Sequence, residues 1–200
     1  MKSLFKKTYT FYSLAIFVLW NWYNRILFRI KGVKFAKKLQ IYKKMYLQVR
    51  NGTLTVGDNF TLTSGNCINP LYRNIRACIH ITHGGVVKIG NNVGMSSPCI
   101  WVRNSLTIGD NVNVGGNCII MDNDAHEIDY KARRGEIKGE VKSAPIVIED
   151  DVWLGANVMV LKGVRIGARS IIGAGSVVTR NIPSDCIAVG NPARVIKNLK

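Results

Sequence analysis

The stretch IVIEDDVWLGANVMVLKGVRIGARSIIGAGSVV, residues 146–178, carries an aliphatic residue at every sixth position without a slip. An α-helix cannot keep such positions on one face, because each step of six residues rotates them by about 240°. Short strands joined by tight corners can, with the aliphatic side chain pointing inward and glycine or asparagine at the corner. The aliphatic positions of this register are Ile148, Leu154, Val160, Ile166, Ile172 and Val178.

The same template extends towards the N-terminus, and compact residues recur four positions after each later aliphatic. Three such hexads would close one coil, and stacked coils would bury a continuous aliphatic column, as hexapeptide β-helices do. We therefore predict an all-β fold, a parallel β-helix; the alternative, a sandwich of short strands, does not require this register. The upstream aliphatics in the same register are Ile120, Val114, Ile108 and Val102. A fainter stretch, offset by one residue, continues at Met95 and Ile89, and the pattern begins at Leu62 and Val56. The compact positions are Val152, Val158, Val164, Ser170 and Ser176.

Three motifs follow one another towards the C-terminus: DVWLGA at 151–156, IGAGSVVTR at 172–180 and GNPARVI at 190–196. In this order they resemble the hexapeptide-repeat acyltransferases with a left-handed parallel β-helix. The likeness covers roughly residues 85–197. It is greatest to the branch that contains galactoside, maltose and capsular-polysaccharide O-acetyltransferases. The resemblance implies a left-handed coil and acetyl-CoA as acyl donor.

This resemblance divides the chain into three segments. Residues 1–50 are expected to form a basic, aromatic, helical segment. Residues 51–182 are expected to form the left-handed β-helix, with a catalytic loop at 121–145. Residues 183–200 are expected to complete the acetyl-CoA site.

The loop at 121–145 interrupts the repeat and contains His126, one of three histidines in the chain. Acetyl transfer from a thioester to a hydroxyl needs a base that removes the hydroxyl proton during attack, and histidine has the most suitable pKa. In the family, such a loop presents its histidine at the cleft between two subunits. The resemblance therefore implies that His126 is the general base and that the protein is a cyclic homotrimer with shared sites. The alternative is a solvated loop histidine.

Acidic residues flank this histidine. In an extended backbone Asp124 and His126 point to the same side, so Asp124 is a candidate to orient the imidazole, as a carboxylate does in a triad. Asp122 and Glu127 are further candidates. A solvated loop tip is the alternative for all three carboxylates.

The acceptor side of the site is less clearly marked. By resemblance, a polar side chain one coil before the loop contacts the acceptor and stabilises the oxyanion. Ser96 or Ser97 occupies that place, and Asn117, near the foot of the loop, is another candidate. The short acidic motif of the simple-sugar enzymes aligns with VRN at 102–104, so their specificity is not implied here.

The donor site is expected on the last coils. A thioester arm with an adenosine phosphate head needs close backbone approach along its length and cations at its phosphates. By resemblance, the small residues line the arm, the threonine and the cations lie by the nucleotide end, and the tryptophan borders the reacting groups. Corner geometry alone would also explain the glycines, and packing on another subunit would explain the tryptophan. The candidates are Trp153, Gly155, Ala156, Gly173, Ala174, Thr179, Arg180, Arg194 and Lys197.

Residues 1–50 hold twelve Lys or Arg and no acidic residue, within a net charge of +16 for the chain. Cations confined to one segment do not indicate nucleic-acid binding. Residues 9–23 are uncharged and include Trp20 and Trp22, but the run is shorter than the roughly 20 residues that span a bilayer. A secretory signal is disfavoured because no small-residue cleavage site follows. The composition suits a helix in the interface of an anionic membrane, and hence a cytoplasmic protein peripheral to the inner face. A spanning or re-entrant helix and a contact with another subunit stay open.

Cysteine and histidine usage indicates neither a disulfide framework nor a metal site. Cys99 and Cys118 fall on the small inward position of the repeat and are expected to be reduced core residues. His80 and His83 are three residues apart, which in a strand places them on opposite faces, and three histidines at this spacing do not form a zinc site. The cysteines are Cys67, Cys78, Cys99, Cys118 and Cys186.

Together these observations predict an acetyl-CoA-dependent O-acetyltransferase that acts on a saccharide hydroxyl of a cell-envelope or exopolysaccharide glycan or its precursor. One alternative is an N-acetyltransferase of an amino sugar or an antibiotic. The other is a non-catalytic, membrane-associated β-helix scaffold, which would need neither His126 nor the three C-terminal motifs.

Overall fold

The computed structural model describes residues 2–65 and 74–199, with side chains from residue 15 onward. The described chain begins with helix α1, Lys2–Ile30, and contains one further short helix, α2, Tyr130–Arg133. All other regular elements are short strands. They are β1 Lys34–Phe35, β2 Leu39–Tyr42, β3 Tyr46–Val49, β4 Thr53–Val56, β5 Phe60–Thr63, β6 Cys78–Ile81, β7 Val86–Ile89, β8 Gly94–Ser96, β9 Cys99–Val102, β10 Ser105–Ile108, β11 Asn113–Val114, β12 Ile119–Met121, β13 Ile146–Ile148, β14 Trp153–Leu154, β15 Met159–Leu161, β16 Arg165–Ile166, β17 Ile171–Ile172, β18 Val177–Val178, β19 Cys186–Gly190 and β20 Ala193–Asn198.

Consecutive strands belong to different sheets, so the chain winds into coils with three sides. Sheet A has the order β1-β4-β7-β10-β13-β16 and sheet C the order β18-β15-β12-β9-β6-β3. Sheet B has the order β2-β5-β8-β11-β14-β17-β19-β20. Strands pair in parallel except β19 and β20, which form an antiparallel hairpin. The fold of the described residues is a parallel β-helix.

The aliphatic positions of the six-residue repeat point into the column. Ile148, Leu154, Val160, Ile166 and Ile172 are all 0% exposed. Strands such as β4 and β7 alternate exposed and buried residues, as one-sided strands must. Because burying one such side chain is worth about 1.5–3 kcal/mol, the stacked column is the main source of stability. The predicted parallel β-helix is confirmed.

The β-helix begins earlier than predicted. Helix α1 ends at Ile30, and β1, β2 and β3 form a first coil within the segment 1–50 that was expected to be helical. Leu39, Ile41 and Leu47 of this coil are buried in the same aliphatic column. Lys37, Lys38, Lys43 and Lys44 occupy the corners of this coil, so the composition is that of a surface arm although the inward positions are apolar. The boundary therefore lies near residue 30.

Helix α1 covers the free edge of sheet B at β2, where an uncovered strand would leave unpaired backbone groups. Asn21 Oδ1 accepts a hydrogen bond from Ile41 N (3.3 Å), and Asn24 Nδ2 donates to Lys43 O (2.9 Å). Arg25 Nη2 donates to two carbonyl oxygens of the same segment, at 2.7 and 3.2 Å. Polar side chains of the helix thus replace the missing neighbouring strand.

The predicted loop leaves the column after β12 and returns at β13. Its base is closed by an antiparallel bridge between Asn123 and Ser143 and by a hydrogen bond from Ala144 N to Asp122 O (2.9 Å). Within the loop, the Asp129 carboxylate caps α2 by accepting from two backbone N–H groups at 2.7 and 3.1 Å. These bonds hold the loop in a defined conformation.

Cys99 does not point into the column. It pairs with Cys78 on the outer face of sheet C, and both are partly buried. The Cys78 thiol lies in hydrogen-bond contact with Cys99, which raises the pKa of Cys78 and lowers the pKa of Cys99 to about 7. Cys118 is inward, as predicted, and burial raises its pKa to about 11. The prediction was wrong for Cys99 because the chain has one residue more than the six-residue repeat between β8 and β9. Cys67 lies outside the described residues.

Candidate active site

A groove of about 380 Å³ crosses the outer face of sheet B, over β5, β8, β11 and β14. Outward residues on these strands are small or polar, apart from one indole, so a ligand has space and hydrogen-bonding groups. Its floor and walls include Thr61, Thr63, Ser96, Asn113, Gly115 and Trp153.

Trp153 and Ser96 occupy this groove as predicted site residues. The Trp153 side chain points outward and is 53% exposed. Ser96, at the end of β8, is partly buried and lines the groove. Ser97, the alternative to Ser96, is 1% exposed at the following corner, where its Oγ accepts from Gly65 N (3.2 Å). Of the two serines, Ser96 lines the groove and Ser97 does not.

Asn117 serves a corner of the coil. Its φ of 58° is the left-handed conformation that asparagine tolerates, and its Nδ2 donates to Asn157 Oδ1 (2.9 Å) on the next coil. Three asparagines stack in the same way at another corner, Asn59, Asn92 and Asn111, with amide contacts of 3.0 Å. The Asn117 amide thus joins two coils, and it does not line the groove.

His126 lies on the loop near its base and is exposed. Its backbone N–H donates to Asp124 O (2.7 Å). Within the described parts of the chain, its imidazole forms no hydrogen bond or ion pair, and the side chain is exposed. A ring nitrogen without a protein partner is available to accept a proton from a substrate.

Asp124 does not orient the imidazole. One carboxylate oxygen pairs with Lys162 Nζ at 2.5 Å, and the other is buried with no partner among the described residues. The predicted triad-like pairing is replaced by an ion pair between residues 38 apart in sequence, which the local pattern could not reveal. The bond ties the start of the loop to the end of β15, so Asp124 positions the segment that bears His126.

Asp122 is committed to the backbone. It is 0% exposed, and its carboxylate accepts from Arg103 N (2.8 Å) and Asn104 N (2.7 Å) at the corner between β9 and β10. The Asn123 side chain donates to the same carboxylate at 3.1 Å. Asp122 therefore builds the foot of the loop and has no role towards the imidazole.

The small donor-site candidates meet at one corner of the last coils. Gly155 and Ala156 follow β14, and Gly173 and Ala174 follow β17, one coil further. A Cβ on Gly155 would lie 2.6 Å from Ala174 N, so the stacking of coils alone requires glycine there. Trp153, on β14, lies two residues before this corner.

The threonine and the three cationic candidates follow this corner in the chain. Thr179 and Arg180 are exposed directly after β18, and Arg194 and Lys197 are exposed on β20. Val189, the register partner of Arg194, packs against Gly173: a Cβ on that glycine would be 2.6 Å from Val189 Cγ1. The hairpin thus places Arg194 near the corner that contains Gly173 and Ala174.

Four residues of the site region were not predicted. Lys162 pairs with the loop, and Thr61, Thr63 and Asn113 line the groove. The groove residues occupy outward positions on strands of one sheet. Once the corners of a three-sided coil have been located in a sequence, such positions can be identified. In the described part of the chain, no three His, Cys, Asp or Glu side chains are grouped as a metal site.

Two family models match the chain: "Bacterial transferase hexapeptide (six repeats)" at residues 145–180 and "Hexapeptide repeat of succinyl-transferase" at residues 105–120. The galactoside O-acetyltransferase of Escherichia coli K12 is 36% identical over 122 residues, which are 60% of this chain and 58% of that protein. The chain carries hexapeptide repeats of the bacterial transferase type and resembles the acetyltransferases that contain them. It spans little more than half the length of this curated relative.

Solved structures of the family superpose on the chain. The polySia-specific acetyltransferase NeuO is 29% identical, with a TM-score of 0.54 over 84% of this chain and 70% of that one. A galactoside acetyltransferase in complex with coenzyme A is also 29% identical, with a TM-score of 0.51 over 76% of this chain and 66% of that one. The left-handed parallel β-helix predicted from the motifs is confirmed.

Proposed function

We propose that this hexapeptide-repeat protein is an acetyl-CoA-dependent O-acetyltransferase that acts on a saccharide hydroxyl, with His126 as general base. The observation that carries the proposal is the exposed His126 imidazole, held without a hydrogen-bond partner among the described residues on a loop braced by Asp122 and the Asp124–Lys162 pair. The relatives named as galactoside and polySia acetyltransferases support the reaction class and a saccharide acceptor.

The chemistry needs no covalent enzyme intermediate. A ring nitrogen of His126 takes the proton of the acceptor hydroxyl while that oxygen attacks the thioester carbonyl. The tetrahedral intermediate then collapses, the C–S bond breaks, and the thiolate of coenzyme A receives the proton from the imidazolium. The products are the acetyl ester and free coenzyme A.

Ser96 is the proposed donor to the oxyanion. It lines the groove beside Asn113 and lies on the same outer face as Trp153. A hydroxyl fixed on a strand strengthens its hydrogen bond as negative charge develops, which lowers the barrier more than it stabilises the bound substrate. Trp153 is proposed to border the thioester.

The donor is proposed to lie along the corner formed by Gly155, Ala156, Gly173 and Ala174. Close backbone approach there suits the pantetheine arm. Thr179, Arg180, Arg194 and Lys197 are exposed beyond it and are proposed to bind the nucleotide phosphates. The relative solved with coenzyme A supports this donor.

The acceptor is proposed to be a glycan of the cell envelope or an exopolysaccharide, or its precursor. Hydroxyl and amide side chains in the groove, Thr61, Thr63 and Asn113, form the hydrogen bonds that a saccharide offers. No carboxylate lines the groove among the described residues, so an amino sugar would find no counter-ion there. This difference favours O-acetylation over N-acetylation.

The direct test is transfer of radiolabelled acetyl from acetyl-CoA to a panel of glycans and amino sugars. His126→Ala should fold normally, and its kcat should fall about 10²–10⁴-fold, because a general base contributes a factor of that size. His83 is exposed at a corner with a φ of 56°, so His83→Asn keeps a residue suited to that conformation and serves as the matched control.

The control should retain wild-type kcat. Full kcat in a folded His126→Ala protein would overturn the assignment of the base. Transfer to amines alone would overturn O-acetylation.

A further inference from the structure

Helix α1 has two different faces. The inner face carries Asn21, Asn24 and Arg25, which seal the edge of β2, and Phe28, which is 0% exposed against the end of the column. The helix is therefore fixed to the β-helix by its polar and aromatic inner side. It is a part of the folded domain, and its orientation is set.

The outer face is apolar and exposed. Val18 is 56%, Leu19 65%, Trp22 66% and Tyr23 40% exposed, and their spacing of three to four residues places them on one side of the helix. Ile30 continues this side at 73% exposure. A contiguous apolar surface of this kind on a soluble domain marks a contact with a partner or a membrane.

The charges next to this face select the partner. Arg29, Lys31 and Lys34 are exposed and form no salt bridge with another described residue. The segment 1–50 contains twelve cations and no acid, so a second copy of the same surface would be repelled. An anionic bilayer complements both features, because Trp and Tyr favour the headgroup level and nearby Lys and Arg attract acidic lipids.

The groove lies beside this helix. Phe17 of α1 packs against Tyr42 of β2 with ring centroids 4.4 Å apart, and Tyr42 is the register partner of the groove residue Thr63. Thr61, also in the groove, contacts Gln40 of β2 at 3.5 Å. Since neighbouring strands are about 4.8 Å apart, the near end of the groove is within roughly 10 Å of the helix.

We propose that α1 docks the β-helix on an anionic bilayer in the plane of the interface, with Val18, Leu19 and Trp22 buried among the lipids, and that the groove thereby takes a saccharide attached to a lipid. The second half of this inference rests on the proposed function. In the described part of the chain, no helix combines the length and apolarity that a bilayer crossing requires.

Vesicle binding tests the docking surface with the full chain, since removing α1 would uncover the edge of β2. The protein should co-sediment with phosphatidylcholine vesicles that contain phosphatidylglycerol, and high salt should weaken this binding without abolishing it. The double variant Leu19→Glu with Trp22→Glu should reduce the partition coefficient about tenfold or more, because each buried apolar side chain contributes that much. Circular dichroism and the unfolding midpoint verify that the variant is folded.

Ile137→Glu is the matched control, because Ile137 is 50% exposed on the loop, away from α1. It should bind vesicles like the wild type. The docking proposal is overturned if the full chain fails to bind anionic vesicles at low salt, if neutral vesicles bind equally well, or if the Glu double variant binds unchanged. Resistance to both salt and alkaline carbonate would also overturn it, in favour of a spanning helix.

Activity separates the two halves of the inference. The Glu double variant should acetylate a soluble oligosaccharide at the wild-type rate and a lipid-linked saccharide in anionic vesicles about tenfold more slowly, in line with the loss of partition. Equal loss on both substrates would overturn presentation from the membrane. Absence of transfer to every acceptor, with vesicle binding intact, would refute the proposed function and leave the docking surface standing.

Discussion

At the residue scale, the acids around His126 divide by what each carboxylate contacts. Asp122 is buried against backbone N–H groups, Asp124 pairs with Lys162, and Asp129 caps α2. The sequence places these acids within eight residues, and the local pattern makes Asp122 and Asp124 candidates to orient the histidine. Because the role of an acid depends on residues far away in the chain, only the folded loop distinguishes them.

Asp122→Ala is predicted to lower the free energy of unfolding by roughly 2–4 kcal/mol, because hydrogen bonds to a buried carboxylate are worth about 1.5–3 kcal/mol each and their donors would be left unpaired. Urea unfolding at fixed protein concentration measures this loss. Asp129→Ala, in the same loop but exposed, is the control and should lose only about 1 kcal/mol, as an N-cap does. Equal losses would contradict the structural role given to Asp122.

Arg194→Ala is predicted to raise KM for acetyl-CoA and to leave kcat nearly unchanged. The residue is exposed on β20, beyond the narrow corner, and its proposed phosphate contact is far from the acetyl group. Such a contact is equally strong in the ground and transition states, so its loss affects binding alone. Steady-state kinetics with acetyl-CoA as the varied substrate checks this. A collapse of kcat at constant KM would mean that the nucleotide end is misplaced.

At the element scale, glycine is required where successive coils touch. A Cβ on Gly115 would lie 2.6 Å from Gly155 C and 2.7 Å from Ala156 N, both backbone atoms that cannot move without shifting a coil. Gly115→Ala is therefore predicted to destabilise the fold by about 1–3 kcal/mol through overpacking. The midpoint of thermal unfolding measures the effect.

Gly94→Ala is the matched substitution one coil earlier on the same sheet. Its Cβ would meet only the side-chain oxygen of Asn113, at 3.3 Å, and that side chain can turn away. The alanine should be neutral or slightly stabilising, since it reduces the entropy of the unfolded chain. A similar loss in both variants would show that coil contact is not the cause.

The sequence predicted the inward side chains of most coils, because a period of six allows one register and the buried residues follow it. It missed the first coil, where the corners between β1, β2 and β3 hold lysines in place of glycine and asparagine. The buried positions follow the six-residue repeat, so they can be identified from neighbouring residues in the sequence. The pairing of α1 with the edge of β2, through Asn21 and Asn24, joins residues about 20 apart and leaves no periodic trace.

At the scale of the whole molecule, the proposed base His126 and the groove lie on different sides of one chain. The loop that bears His126 leaves between β12 of sheet C and β13 of sheet A, which is the corner opposite sheet B in a three-sided coil. The groove with Ser96 and Trp153 lies on sheet B. We therefore propose that a second copy completes the site, as in a cyclic trimer with three shared sites.

Complementation tests this arrangement. His126→Ala and Trp153→Ala should each be nearly inactive alone, because every site in either homotrimer lacks one partner. Co-expressed with two different tags and purified through both, the mixed trimers should regain activity, since one junction in each joins an intact histidine to an intact tryptophan. If the two variants assemble at random in equal amounts, about a quarter of all sites should be intact before tag selection. Sedimentation equilibrium should report a trimer throughout. A stable, active monomer, or mixed trimers no more active than the parents, would refute shared sites and place His126 and Trp153 in one chain's own cleft.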